Sequence, residues 1–470
     1  MARETLNLSP DKGANRRPRF RPRPNTSHGR IRQERPRSIT SPLNFEIGAT
    51  VENQIQGLSR SIINTFSRFD EYLKAQGEFV VDTYSVGPED APLILPLSEE
   101  DALERFRGNI NQIESIGYDK LKPEWVLIHD NLVSVVTFFE ERQRVDAGKE
   151  KMNYSEYLLK VSGLEPTLIP WELLEKDRSK TLDIFRTIVK PIGVEFEEKS
   201  PASVGAALFG YQLIRRYHSP MEINERFKFY DDGHRFQVGM ALGGRDLRDV
   251  QFNVVWVEDD KWWRMHERMG LEGNTLYANW HERHRQSWDE GVIEMYSTHE
   301  PQHFILAYLI REEILKGHLD PAAGILPIPS TMSYQSEGIA QTVSQFAPIE
   351  LSPDAQLAIG LYRLEKRALT NGLYLLETDA SLSVAEVTRR IRRYMSLKSP
   401  KEINQLLEEG ITKPFERAYL PAYGISDYEF TTFSEKADGT QKSEFVNRVF
   451  SRPMTPTQVR QNMDTILKAA

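Results

Sequence analysis

Val292-Ile293-Glu294-Met295-Tyr296-Ser297-Thr298-His299-Glu300-Pro301-Gln302-His303-Phe304-Ile305-Leu306-Ala307-Tyr308-Leu309-Ile310 sets a polar pentad inside an apolar run. His299 and His303 stand four residues apart, the spacing that puts two side chains on one face of an α-helix. Two imidazoles so placed can both reach one zinc ion at about 2.0–2.1 Å. Glu300 then points beside the ion, where it can take a proton from a water whose pKa the metal brings toward about 7. The apolar flanks predict a buried helix, and a dry setting strengthens an ion's electrostatics. Ser297-Thr298-His299-Glu300 also fits S-x-x-E, a capping box. Proline is tolerated in the first turn of a helix, so Pro301 predicts a helix over about 297–316, starting at Ser297. The bland alternative is that Glu300 only closes that helix end.

Downstream, Ser336-Glu337-Gly338-Ile339-Ala340-Gln341 offers a third ligand, Glu337, opening a helix from about residue 336. Gly338 removes a side chain where two helices must approach closely. Gln341, one turn on, is placed to hydrogen-bond a ligand. Upstream, residues 235–242 and 250–257 read as strands joined by a hairpin at Gly243-Gly244, the second rich in β-branched and aromatic residues. A strand beside the metal helix would align a peptide by main-chain pairing. The glycine pair is a turn and no phosphate loop, since neither G-x-x-x-x-G-K-[ST] nor G-x-G-x-x-G occurs. His281-Glu282-Arg283-His284 is a rival pair at i, i+3, but Trp280, Arg285 and Gln286 give it the composition of a polar helix face.

The remainder reads as mainly helical. Ser98 before three acids, Pro123, Ser352-Pro353-Asp354 and the Ser383/Glu386 capping box all mark helix starts. Helices are also expected near 153–162, 171–189 and 201–217, and the last over about 457–467. The fold class is thus mainly α with a small β-sheet. It divides into a basic arm (1–42), a helical N-terminal region (43–220) and a metal-binding region (221–470). Residues 1–40 hold eleven Lys/Arg against three acids, although the chain as a whole carries −8. Their Arg-Pro alternation blocks helix and predicts a disordered arm, a polyanion contact or a plain flexible leader.

There is no cysteine, so thiol nucleophiles and cysteine-bound zinc are excluded, and a metal must be held by His, Asp and Glu. No apolar stretch is long enough to span a membrane, and no secretory h-region stands at the N-terminus. The expected location is the cytoplasm.

The pentad followed by Ser336-Glu337-Gly338-Ile339-Ala340 resembles the zinc peptidases whose third ligand is a downstream glutamate. More narrowly it is similar to a group of predicted bacterial zinc carboxypeptidases with S-E-G-W-A, related to tyrosine carboxypeptidases with Q-E-G-L-A. The likeness continues through Leu361-Tyr362-Arg363 and Asn371-Gly372-Leu373-Tyr374 to about residue 425. The chain lacks the H-E-x-x-P-G-H-H of the first group and the H-E-x-x-x-H of the second. The resemblance implies a zincin-like fold, with long helices and a small sheet around a metal-bearing helix. It implies one Zn²⁺ on His299, His303 and Glu337, Glu300 as general base, and a peptide or protein substrate. It also implies a tyrosine or arginine for the oxyanion, with Tyr419, Tyr423 and Arg417 as candidates, and Arg363 or Arg367 for a substrate carboxylate. Two other readings stay open: a non-enzymatic binding protein acting through its arm, and a catalytically inactive relative.

Overall fold

The computed structural model describes residues 51–469, except 87–94, 118–119, 194–197, 199, 261–263 and 271–272. The arm (1–42) lies outside the described residues. The first half runs α1 (Val51–Lys74), β1 (Val81–Tyr84), α2 (Glu99–Ile116), α3 (Pro123–Asp146), α4 (Tyr154–Ser162), α5 (Trp171–Val189), α6 (Pro201–Arg215) and α7 (Pro220–Ala241). Then come β2 (Asn253–Val257), β3 (Met265–Gly270), β4 (Gly273–Asn279), α8 (Glu282–Arg285), α9 (Glu290–Leu315), β5 (Ile325–Pro327) and α10 (Ser333–Thr342). The last part is α11 (Pro353–Thr378), α12 (Val384–Ile391), α13 (Pro400–Thr412), α14 (Pro414–Lys436), α15 (Gly439–Ser451) and α16 (Pro456–Lys468). The chain is mainly helical with one small mixed sheet, in the order β2-β4-β3-β1-β5. Residues 50–470 make one compact unit, and the boundary expected near 220 falls inside it, between α6 and α7.

Local signals account for most helix starts. Ser98 Oγ accepts from the Asp101 amide at 3.2 Å, and Ser352 Oγ from the Ala355 amide at 3.1 Å. Ser383 and Glu386 form the expected reciprocal box. Two expectations fail upstream of the pentad. Residues 235–242 are the end of α7 and its cap, not a strand. Ile223, Phe227, His234 and Val238 are all buried, a helical period over four turns that overrides the short alternation at its end. Gly243 and Gly244, at φ 78° and 83°, end that helix rather than turning a hairpin. Of the expected strands only 253–257 forms, and it is an edge strand paired in parallel with β4. The strand that packs on α9 is β3, held between β4 and β1.

The central helix also starts earlier than expected. Asp289 caps α9, its carboxylate accepting from the Val292 amide at 2.9 Å, so Pro301 lies well inside the helix. An interior proline costs about 3 kcal/mol. Extending the helix back buries Val292, Ile293 and Met295, and burial of such a side chain returns about 1.5–3 kcal/mol each. The extension wins. Glu300 therefore caps nothing, and the capping-box reading is removed. The helix bearing Glu337 likewise begins at Ser333 rather than 336.

Around α9 the main core is built from α7, the sheet, α10, α14 and α15. Gly338 is where α10 meets α14: a Cβ there would sit 2.6 Å from the Phe430 ring.

Candidate metal centre

One turn of α9 places His299 and His303 side by side, both buried, with Nε2 atoms 3.4 Å apart. From α10, Glu337 brings Oε2 to 3.5 Å from His299 Nε2. Three ligands around a tetrahedral zinc at about 2.0–2.1 Å must stand about 3.3–3.4 Å from one another; the two spacings from His299 match, and the ligand atoms of all three residues lie within 4.8 Å of one another. Glu337 Oε2 is buried with no hydrogen-bond partner, a costly state for a carboxylate oxygen that a cation would relieve. The other oxygen accepts from the Tyr419 hydroxyl at 2.7 Å. His303 Nδ1 lies 2.6 Å from Ser336 Oγ and 3.6 Å from Glu267, so its far nitrogen is engaged and Nε2 is turned toward the cluster. The three residues thus fit one metal ion, and His299, His303 and Glu337 form such a group of buried ligands.

Electrostatics agree. Burial first, then His303 and Lys366, holds the His299 imidazole neutral, the form that ligates a metal. Burial pushes Glu337 up to about 6, against the pull of His303. Burial, then Glu267, Glu337 and Asp82, raises Glu300 well above the usual carboxylate range. Glu267 is hydrogen-bonded to Glu300, and His303 and His266 hold it ionised despite burial. A shared proton on Glu300 therefore accounts for the second buried group, Glu267, Glu300 and His303.

A cleft of about 1080 Å³ opens on this cluster, lined by His299, Glu300, Glu267, Tyr362, Tyr419 and Tyr423. Burial keeps both Tyr419 and Tyr423 protonated, and their rings meet edge-to-face at 5.1 Å. The five residues His299, Glu300, His303, Glu337 and Tyr419 thus meet, with Tyr423 beside them.

The expected arginines do not join them. Arg417 pairs with Glu377 at 2.8 Å and Glu141 at 3.2 Å. Arg363 and Arg367 both grip Asp427, at 3.0 and 2.6 Å, and Arg367 also takes Asp177. All three brace helices away from the cleft, because paired guanidinium groups are stable in a protein's interior where free ones are not. Gln341 donates to the backbone carbonyls of Glu337 (3.2 Å) and Tyr423 (3.3 Å), so it ties two helices rather than touching the ligand carboxylate. His281 caps α8 instead of pairing with His284 on a metal. Glu267, Tyr362 and Lys366 were not expected; no local spacing in the sequence connects them to the pentad.

Two results follow from this geometry. Tyr419→Phe removes the hydroxyl that orients Glu337 and is expected to weaken zinc binding about 10–100-fold, read by competition with a chromophoric chelator. Unchanged affinity would assign that hydroxyl a packing role only. Glu337 must also lose its proton to ligate. Zinc affinity is therefore expected to be level above pH 6 and to fall about tenfold per pH unit below it. An affinity flat from pH 5 to 7 would remove Glu337 from the ligand set.

No family model matches the chain, and no curated protein does. Among solved structures it is similar to the "putative lipoprotein" of Colwellia psychrerythraea, at 13% identity and TM-score 0.51, over 90% of this chain and 77% of that one. A "putative lipoprotein of unknown function" from Shewanella oneidensis is similar at 11% identity and TM-score 0.45, over 90% and 80%. At 13% identity the likeness to the Colwellia protein shows the fold alone. The expected cytoplasmic location is corrected: the Colwellia protein of this fold carries the description "putative lipoprotein", and the cytoplasm is not assigned to this chain. No helix among the described residues is long and apolar enough to cross a membrane.

Proposed function

We propose that the chain is a zinc-dependent peptidase of zincin-like architecture, with carboxypeptidase action favoured by the resemblance of its S-E-G-x-A motif. The observation that carries the reading is the convergence of His299 Nε2, His303 Nε2 and the unpartnered Glu337 Oε2 beside a cleft, with both spacings from His299 close to those of a tetrahedral zinc. The helix α9 under β3 is the setting a zincin reading requires. When bound, zinc supplies Lewis-acid chemistry: it acidifies water and polarises a carbonyl.

The chain's own groups do the rest. Glu300 lines the cleft beside His299; once His299, His303 and Glu337 hold a cation, the proton affinity of the Glu300–Glu267 pair falls, so that its shared proton leaves and Glu300 can take that of the attacking water. The high proton affinity of its buried carboxyl suits it to hold that proton and deliver it to the leaving amine. Glu267, hydrogen-bonded to it, fixes its orientation. Tyr423, protonated and lining the cleft, is a donor for the charge that develops on the scissile carbonyl oxygen. Tyr419, engaged by Glu337, keeps the ligand in place.

The test is digestion of a mixed peptide pool by the zinc-loaded full chain, read by mass spectrometry. Shortened peptides that vanish with a chelator are expected; an intact pool contradicts the reading.

A further inference from the structure

Arg264 stands just before β3, at the cleft wall, and lines the same cleft as His299 and Glu300. Its guanidinium lies over two rings, 5.9 Å from the centroid of Trp288 and 5.7 Å from that of Tyr296. Tyr296 is one helical turn before Glu300 on α9, so the cation is fixed one turn from the general base. Its Nε is buried and has no hydrogen-bond partner. Among the described residues no carboxylate pairs with it. Asp289 feels its charge but is engaged as the N-cap of α9.

This differs from the other arginines of the interior. Arg363, Arg367 and Arg417 are each matched to carboxylates. Lys366, a buried cation of the same cleft, lies over the Tyr362 and Tyr423 rings at 4.9 and 4.8 Å and faces Glu365 and Glu416. Arg264 has lost water from part of its guanidinium without gaining a paired carboxylate in exchange, and its hydrogen bond to Tyr296 and the two rings offset that cost only in part. An anion in the cleft, which Arg264 lines, would offset the rest. Two aromatic faces hold the fork in one orientation, which favours a planar, two-oxygen partner.

We infer that Arg264 is the carboxylate anchor of the cleft and selects peptides that present a carboxylate near the bond to be cut. The inference rests on the peptidase reading for its substrate class. The carboxylate is either a free C-terminus or an acidic side chain, which share this chemistry.

The test titrates three probes into the full chain by calorimetry: N-acetyl-alanyl-phenylalanine, its C-terminal amide, and N-acetyl-glutamyl-phenylalanine amide. Wild type is compared with Arg264→Gln and Arg264→Lys, each checked for folding by circular dichroism. Wild type is expected to bind one carboxylate probe at least roughly tenfold tighter than the neutral amide. That ratio is expected to fall to near one in Arg264→Gln and to be partly kept in Arg264→Lys. Preference for the free acid identifies a C-terminal carboxylate, and preference for the glutamyl amide an acidic side chain; either supports the anchor. A wild type that does not discriminate, or a ratio undiminished in folded Arg264→Gln, overturns it. Should Arg264→Gln fail to fold, the Lys variant decides: discrimination equal to wild type, despite loss of the planar fork, overturns the assignment. Binding needs no turnover. A chain that discriminates but cleaves nothing keeps the anchor and loses the peptidase reading, and one that cleaves without discriminating does the reverse.

Discussion

Zinc-loaded Glu300→Gln is expected to keep its metal and to hydrolyse peptides about 10³-fold more slowly than the wild-type chain, within the 10²–10⁴ range of a positioned proton-transfer group. The substitution is nearly isosteric. It removes the proton acceptor at the cleft wall while leaving His299, His303 and Glu337 in place. Steady-state hydrolysis beside metal content by atomic absorption separates the two roles. A variant with full zinc and near wild-type rate would show that Glu300 moves no proton. A variant that loses zinc would show Glu300 acting as a ligand, with Glu267 and His303.

The second large effect is expected at Glu337. Partners that only orient a ligand are worth about 10–100-fold in metal affinity, so Glu337→Gln, which alters the ligand itself, should weaken zinc by more than about 100-fold. The same variant should be more stable than wild type without metal. Burial raises the Glu337 carboxyl from its usual 4.5 to about 6. A carboxyl with a raised folded-state pKa favours the folded form when protonated. That advantage is lost as pH rises from about 4.5 through 6. At pH 8 the ionised group costs the metal-free protein about 2 kcal/mol, and the neutral amide removes that cost. Thermal unfolding at pH 8 with and without zinc reads both effects. A metal-free variant less stable than wild type would make Glu337 a structural residue.

What the sequence disclosed and what it withheld follow physical range. His299, Glu300 and His303 are one helical turn, so their convergence is local and legible in the spacing alone. Glu337 was legible through its motif, although nothing along the chain reports that α10 lies against α9. Tyr419 came only with the resemblance. The start of α9 was misplaced because Pro301 is a local penalty, while burial of Val292, Ile293 and Met295 is a tertiary gain. The arginines were misassigned for the same reason: the ties of Arg363 and Arg367 to Asp427, and of Arg417 to Glu141, join helices far apart in sequence. Glu267 and Asp82 sit on short strands, paired across the sheet at Thr83 and Met269, and no periodicity announces them.

The central claim is that His299, His303 and Glu337 hold one zinc ion. Anomalous diffraction from crystals of the zinc-loaded chain tests it most directly. A single peak about 2.0–2.1 Å from His299 Nε2, His303 Nε2 and a Glu337 carboxylate oxygen is the expected result. A chain that takes up no zinc, or a peak ligated by other residues, would contradict it.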